Sequence, residues 1–300
     1  MNELYIKNEK IGKGSYGDVY SAKHKSTGNM VAMKRIRVNT KQDIPITTKR
    51  EIKILKLTTN KSIIKLLNVI SSDEDGYYNV YLIFPRMKTT MKLLMNQKYG
   101  QLFTAIEIQN YMRQLLSAVE YLHENNIMHR DISPANILVD ESNSIIKLSD
   151  FGLSCLKNKK KYSTTVVTLW YRCPEVLLGD TQYGFGIDIW ACGCIFGQWL
   201  LNAPLFAGRD EHSQIQLIWN ICGTPIDSIN CWTNAIRLPL YKRYKSKYDI
   251  ERILLKFFKC QFKRSHWITD VALNLLDKML TLDPTKRINA IDCNKHEYFN

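Results

Sequence analysis

The hydrophobic period of this chain changes once, and that change constrains its fold more than any other feature. Before position 86 the apolar residues come in short runs rich in β-branched and aromatic side chains: Tyr5–Ile11, Val19–His24, Val31–Arg35, Ile64–Ile70 and Tyr78–Phe84. Polar or glycine-containing turns such as Ser26-Thr27-Gly28-Asn29 separate them, so the segment predicts a five-stranded antiparallel sheet. Thr47 to Leu57 fits one helix crossing that sheet. From Thr104 the spacing becomes helical, with Ile108, Tyr111, Met112, Leu115, Leu116, Val119 and Leu122 on one face and Thr104 with Glu107 forming a capping box. Further helices are expected at Asp188–Leu200 and along Ala272, Leu275, Leu276 and Met279, the last capped by Thr269 or Asp270. The fold class is therefore α+β, a sheet-rich first part and a mainly helical second part.

A chain of 300 residues, 45% apolar and 23% charged, suits one unit with two lobes and no appended domain. We expect that unit to span 5–299, divided into 5–86 and 87–299 by a short hinge near Arg86–Lys92. The opening MNELYIKNEK has no apolar signal region, and the stretch from Ile189 to Leu201 is too short for a bilayer, which predicts a soluble protein with no membrane partner. Eight scattered cysteines (155, 173, 192, 194, 222, 231, 260, 293) lack Cys-x-x-Cys or zinc spacing, so free thiols are expected. The net charge of +14 raises a nucleic-acid reading, but the charges are dispersed except at Lys157–Lys161 and in YKRYKSKY at 241–248. A solvated basic surface on a protein that handles anions is favoured, with no direct nucleic-acid contact.

Three short strings carry chemistry. GKGSYG at 12–17 lies between two expected strands, where glycines let backbone approach phosphates. VAMKRI places Lys34 in the middle of an otherwise apolar strand. HRDISPANILVD at 129–140, followed by LSDFG at 148–152, spaces Asp131, Asn136 and Asp150 so that one carboxylate can orient a hydroxyl while the other, with the amide oxygen, holds a cation.

Together these strings resemble the eukaryotic protein kinases, and PITTKRE (45–51), VVTLWYRCPE (166–175) and ICGTP (221–225) resemble the transcription-linked cyclin-dependent kinases, over nearly the whole chain. The resemblance implies the two-lobed kinase fold, with ATP and Mg2+ as cofactors. It implies that Ile11, Gly12, Lys13, Gly14, Ser15, Tyr16, Gly17, Asp18 and Val19 cover the nucleotide, with Phe84 behind the adenine and the Met87 backbone binding it. Lys34 would contact the α and β phosphates and pair with Glu51; Asp131 would be the catalytic aspartate; Asn136 and Asp150 would be the metal ligands. Pro85 replaces an acidic residue but keeps the carbonyl that receives the adenine amino group. Val166 and Val167 would shape a pocket for proline after the target Ser or Thr. Glu175 and Arg287 would form a buried ion pair. Asp188 would brace the catalytic loop, although a simple N-cap explains it equally well.

By the same resemblance PITTKRE is the recognition helix for a cyclin-like subunit. The substrate would be a protein with Ser/Thr-Pro sites, the repeats of the RNA polymerase II tail being the nearest match, and the site of action the nucleus, with the cytoplasm also open. Three departures matter. Ser133 stands where a lysine is usual. Arg50 and Arg130 match two arginines that cradle a regulatory phosphate, but the third position is Cys155; Ser163, or Thr164, is the expected phosphosite, with Thr165 close by. Lys49 replaces an apolar residue that relatives bury in the cyclin. Ser15 and Tyr16 lie where some relatives carry inhibitory phosphates. An active kinase, polymerase-directed or cell-cycle, and a kinase-like scaffold both remain open, with retention of Lys34, Glu51, Asp131, Asn136 and Asp150 favouring the enzyme.

Overall fold

A computed structural model describes residues 4–14, 17–74, 76–98, 103–158, 160–225, 232–261 and 268–300. The first part is a five-stranded antiparallel sheet of β1 (Tyr5–Gly14), β2 (Gly17–His24), β3 (Met30–Val38), β4 (Asn68–Glu74) and β5 (Tyr77–Pro85), in the order β1-β2-β3-β5-β4. Helix α1 (Ile46–Leu57) lies between β3 and β4 in the chain. Side-chain alternation divides β3 between two cores. Val31 and Met33 pack with Tyr5, Ala22, Tyr81 and Ile83 on the outer face, whereas Ile36 joins Ile54 and Leu82 in the main core. Lys34 shares the Ile36 face, and Arg35 is turned to the other.

The second part opens with β6 (Thr89–Thr90), α2 (Met91–Gln97) and α3 (Ala105–Glu124). Short strands β7 (Ile127–Met128), β8 (Ile137–Asp140), β9 (Ile145–Leu148) and β10 (Cys155–Leu156) carry the loops of the cleft. Helices α4 (Pro174–Leu177), α5 (Gly186–Leu201), α6 (Glu211–Cys222), α7 (Tyr241–Tyr244), α8 (Leu254–Gln261), α9 (Asp270–Met279) and α10 (Ala290–Asn294) complete it. The Thr104/Glu107 capping box is present, and the α9 cap is Thr269. Helix α5 is buried almost all round, which explains its unbroken apolar run. No helix among the described residues is long and apolar enough to cross a membrane.

One strand expectation is corrected. Ile64–Leu66 does not belong to the sheet: β4 begins at Asn68, with the Leu67 N–H already donating to the Ile83 carbonyl (2.8 Å), whereas the Ile64 N–H donates to the Leu148 carbonyl (2.9 Å) and the Leu148 N–H to the Ser62 carbonyl (2.7 Å). The apolar pattern there records burial against the second part of the molecule, where Ile63 and Ile64 are 2% exposed, rather than sheet pairing. Sheet and helical parts are thereby joined just ahead of Asp150.

Candidate active site

The cleft between the sheet and the helical part encloses a cavity of about 320 Å³ walled by Ile11, Gly12, Val19, Ala32, Phe84 and Met87 above and beside, with Lys34, Glu51, Asn136 and Asp150 at its inner end. Strand alternation aims Lys34 inward, and α1 brings Glu51 opposite. The Lys34 Nζ donates to both Glu51 oxygens at 2.9 Å and lies 3.6 Å from Asp150. Burial disfavours the Lys34 charge, but Glu51 and Asp150 outweigh it and hold its pKa above the ordinary value. Burial pushes the Glu51 carboxyl up, against the pull of Lys34. A cation between two carboxylates is the arrangement in which buried charge is tolerable, and it leaves Nζ facing the cavity.

The loop between β7 and β8 carries Asp131 and Asn136. One Asp131 oxygen accepts from Asn136 Nδ2 (2.8 Å), and the other accepts from the Thr168 N–H (3.1 Å) and hydroxyl (3.0 Å). Asn136 also donates to the Asp131 backbone carbonyl at 2.8 Å, so its amide nitrogen is committed and its oxygen is the atom left for a cation. Together with Asp150 this makes a hard oxygen donor set, suited to magnesium bound with a phosphate. Asp150 and Arg130 both have left-handed backbones (φ +62° and +66°), strained for side-chain-bearing residues and sustained by the surrounding bonds.

Those bonds come from Asp188 and His129. The Asp188 carboxylate accepts the backbone N–H groups of His129 and Arg130, both at 2.9 Å, and contacts His123 Nε2 at 3.0 Å. Burial would raise its pKa, but His123, His129 and the backbone donors outweigh burial and hold it below the usual carboxylate value. Asp188 lies within α5, whose N-cap is Phe185, so it braces the loop and the alternative of a simple cap is set aside. His129 accepts from the Asp131 N–H at Nδ1 (3.2 Å), which leaves Nε2–H to donate to the Ser149 carbonyl (3.1 Å). One ring therefore ties the Asp131 loop to the Asp150 loop.

The family described as the protein kinase domain matches residues 5–299, which carry every group in this cleft. The chain belongs to the protein kinase family. It is 39% identical over 99% of its length to cyclin-dependent kinase C-1 of Oryza sativa subsp. japonica, of whose length it spans 58%. It is 37% identical to cyclin-dependent kinase C-3 of the same plant, covering 97% of this chain and 89% of that one. It is also 37% identical to the cell division control protein 2 homolog 1 of Trypanosoma brucei brucei, covering 100% and 99% of the two chains. The kinase thus lies in the cyclin-dependent branch.

Beyond the cleft, the segment after Asp150 is held by internal contacts. Glu175 and Arg287 form the buried pair, at 2.7 and 2.9 Å, and the other Arg287 hydrogen bonds go to the carbonyls of Thr281, Leu282 and Gly186. Arg50 donates to the Gly152 carbonyl (3.2 Å), while Arg130 donates to the Leu153 carbonyl (2.7 Å) and to the Tyr183 hydroxyl (3.1 Å). That hydroxyl in turn donates to the Ser163 carbonyl at 2.6 Å. Both arginines expected to cradle a phosphate are therefore engaged by backbone carbonyls, with Ser163 exposed and reached from Arg130 only through Tyr183. Cys155 pairs through its backbone with Met128 on β7 and is 5% exposed. Of the lysine run, Lys157 places its Nζ 5.4 Å from the Phe185 ring centre, and Lys159 lies outside the described residues.

The glycine segment follows expectation only in part. Ile11, Gly12 and Val19 line the cavity. Gly17 instead passes so close to β3 that a Cβ would lie 1.8 Å from the Arg35 carbonyl oxygen. Asp18, expected at the nucleotide, is turned to Arg35 (3.0 Å) and Lys10 (2.5 Å). Alternation explains it, since Val19 occupies the cleft face and its neighbour must take the other. Ser15 and Tyr16, with the Lys13 side chain, lie outside the described residues, and Gly14 pairs with Gly17 across the turn.

Sequence reasoning assigned no role to Thr168 or Tyr183. The hydroxyl of VVTLWYR was the available signal for Thr168; nothing local marked Tyr183, whose partners are distant in sequence. Ser133 is 2% exposed, and every donor to Asp131 is neutral, with no ion pair to it among the described residues.

Proposed function

We propose that this kinase transfers the γ-phosphate of ATP to Ser or Thr residues followed by Pro, as the catalytic subunit of a cyclin-dependent complex acting in the nucleus on the repeats of the RNA polymerase II tail. The two lobes divide near 86–87. The observation that carries the proline preference is the carbonyl of Val167, which accepts from Arg172 Nε (3.3 Å) and Nη2 (3.0 Å) while its own φ is +66°. A backbone strained into that position turns its acceptor away from the substrate. An ordinary residue after the target would leave its N–H unpaired at a cost of about 1–3 kcal/mol, whereas proline has none to lose.

Lys34 holds the nucleotide phosphates, Glu51 holds Lys34, and the Asp131 oxygens orient the incoming hydroxyl and receive its proton. Asn136 and Asp150 hold magnesium, which when bound neutralises charge on the phosphates. Binding of a cyclin-like subunit to α1 keeps Glu51 seated, since that helix carries both the Glu51 contact and the exposed residues Ile46, Lys49 and Lys53. Lys49 on that face favours a partner unlike those that bury an apolar residue there.

A second reading, a scaffold with weak transfer, draws on the neutral donors that Asp131 has among the described residues. One experiment separates the two. The complex purified with its native subunit, given magnesium-ATP, should phosphorylate a tail-repeat peptide and lose most of that turnover when Ser-Pro becomes Ser-Ala. Equal rates on both peptides would remove the proline preference, and transfer no faster than from an Asp131→Asn preparation would leave only the scaffold.

A further inference from the structure

We propose that the cationic segment around α7 is a docking surface for an anionic stretch of the protein substrate, lying outside the acceptor pocket on the same polypeptide. The proposal rests on the kinase reading above. In YKRYKSKY, Tyr241 and Tyr244 are buried (7% and 4% exposed) while Lys242, Arg243, Lys245 and Lys247 are exposed. Two tyrosines three apart fix one face of the helical turn inward, so the cations are forced outward. None of the four has an acidic partner among the described residues, although the nearby Lys256 and Lys259 pair with Glu251 and Asp270. Exposed Asp249 is the carboxylate that reaches α7, close enough to add to burial in raising the Tyr241 pKa, and it leaves the four cations in excess; Glu251 beyond it is paired with Lys256. Like charges held together without counter-charges attract an anion from outside.

Position says which anion. Gln216 and Trp219 of α6 donate to the Tyr244 carbonyl at 3.3 and 3.2 Å, and the Leu240 N–H donates to the Leu178 carbonyl at 2.9 Å, just beyond α4. The first residue of α6, Glu211, pairs with Arg172 at 2.6 Å, the side chain that holds the Val167 carbonyl. Helix α6 is thus a strut with the acceptor pocket at one end and the cations alongside. Glu211 to Gln216 is roughly 7.5 Å along a helix axis, which an extended peptide covers in about two to three residues. A continuous polyanion such as nucleic acid would meet the exposed carboxylates of Asp210 and Glu211 at the pocket. A peptide that is neutral around its target residue and anionic a few residues away matches the pattern, whether its charge comes from Asp and Glu or from phosphates already attached.

The test compares three peptides on the purified complex, each with one Ser-Pro target and a distal cluster of glutamine, glutamate or phosphoserine. Wild type should show KM about tenfold lower for the anionic peptides, an advantage that shrinks with added salt. In Lys242→Glu/Lys245→Glu/Lys247→Glu the advantage should fall below about twofold while kcat on the glutamine peptide is unchanged. A gain with phosphoserine alone would support docking and assign the charge to prior phosphorylation; gains with both would assign it to charge of either source. Equal KM for all three in wild type, or an advantage that survives charge reversal, would overturn the proposal. So would a single-stranded RNA oligonucleotide that needs these cations for binding while the peptides do not. Loss of all transfer to the glutamine peptide would overturn the catalytic reading and this proposal with it.

Discussion

At the end proposed for the nucleotide, Lys34 sits between Glu51 and Asp150, one buried cation shared by two carboxylates. At the end proposed for the acceptor, Asp131 accepts from the amide of Asn136 and the two donors of Thr168, all of them neutral. The first end has its cation paired before any substrate arrives and keeps one carboxylate charge in excess. The second holds its carboxylate with neutral donors among the described residues, so under the proposed function the negative charge of a transferring phosphate is met by groups that enter with the substrates. Binding and turnover therefore rest on different parts of the molecule, and substitutions should separate them.

The largest effect is expected from Asp131→Asn, which keeps the shape of the loop and removes the proton acceptor. Turnover should drop about 10²–10⁴-fold with little change in KM for ATP, measured by phosphate transfer to a Ser-Pro peptide. An altered ATP KM with intact turnover would erase the distinction between the two ends. Lys34→Met should cost about 10²–10³-fold and act through both kcat and the ATP KM, because Glu51 and Asp150 are then left facing each other. Ser133→Lys sharpens the contrast in the opposite direction: supplying the missing cation should raise kcat about tenfold, and no gain would mean that the acceptor end is already compensated.

The smallest effect concerns pH. Because the Lys34 pKa is raised in the folded protein, its stabilising contribution is fully present below its unfolded value near 10.5 and is lost only as pH rises through the higher folded value. The ATP KM should then stay flat between about pH 6.5 and 9, as titration of steady-state kinetics would reveal. A fall in affinity within that window would show Lys34 to be less firmly paired than its geometry.

Most of the secondary structure was legible because periodicity records which face of an element is buried, and the kinase strings recorded which chemical groups are present. The misreadings share one cause. Ile64 opens a strand-like run, yet its partner is Leu148 of the other part of the molecule. Asp18 directly follows the glycine segment, yet alternation turns it to Arg35 and Lys10. Arg50 and Arg130 stand where a phosphate cradle is expected, and the contacts they make here, to the carbonyls of Gly152 and Leu153, carry no trace in the neighbouring residues. Local pattern says that a residue is buried or charged, not what it meets.

The amino-acid order alone settled the family and the division into a sheet-rich and a helical part, and it named the candidate reactive groups, since each is written in adjacent residues or short repeats. Only the packed structure decided which groups meet: Lys34 with Glu51 across 17 residues, Arg287 with Glu175 across 112, Tyr183 between Arg130 and the Ser163 carbonyl. Such contacts exist only once the elements have closed on one another, because an ion pair or a bridging hydroxyl is fixed by distance in space and leaves no period along the chain.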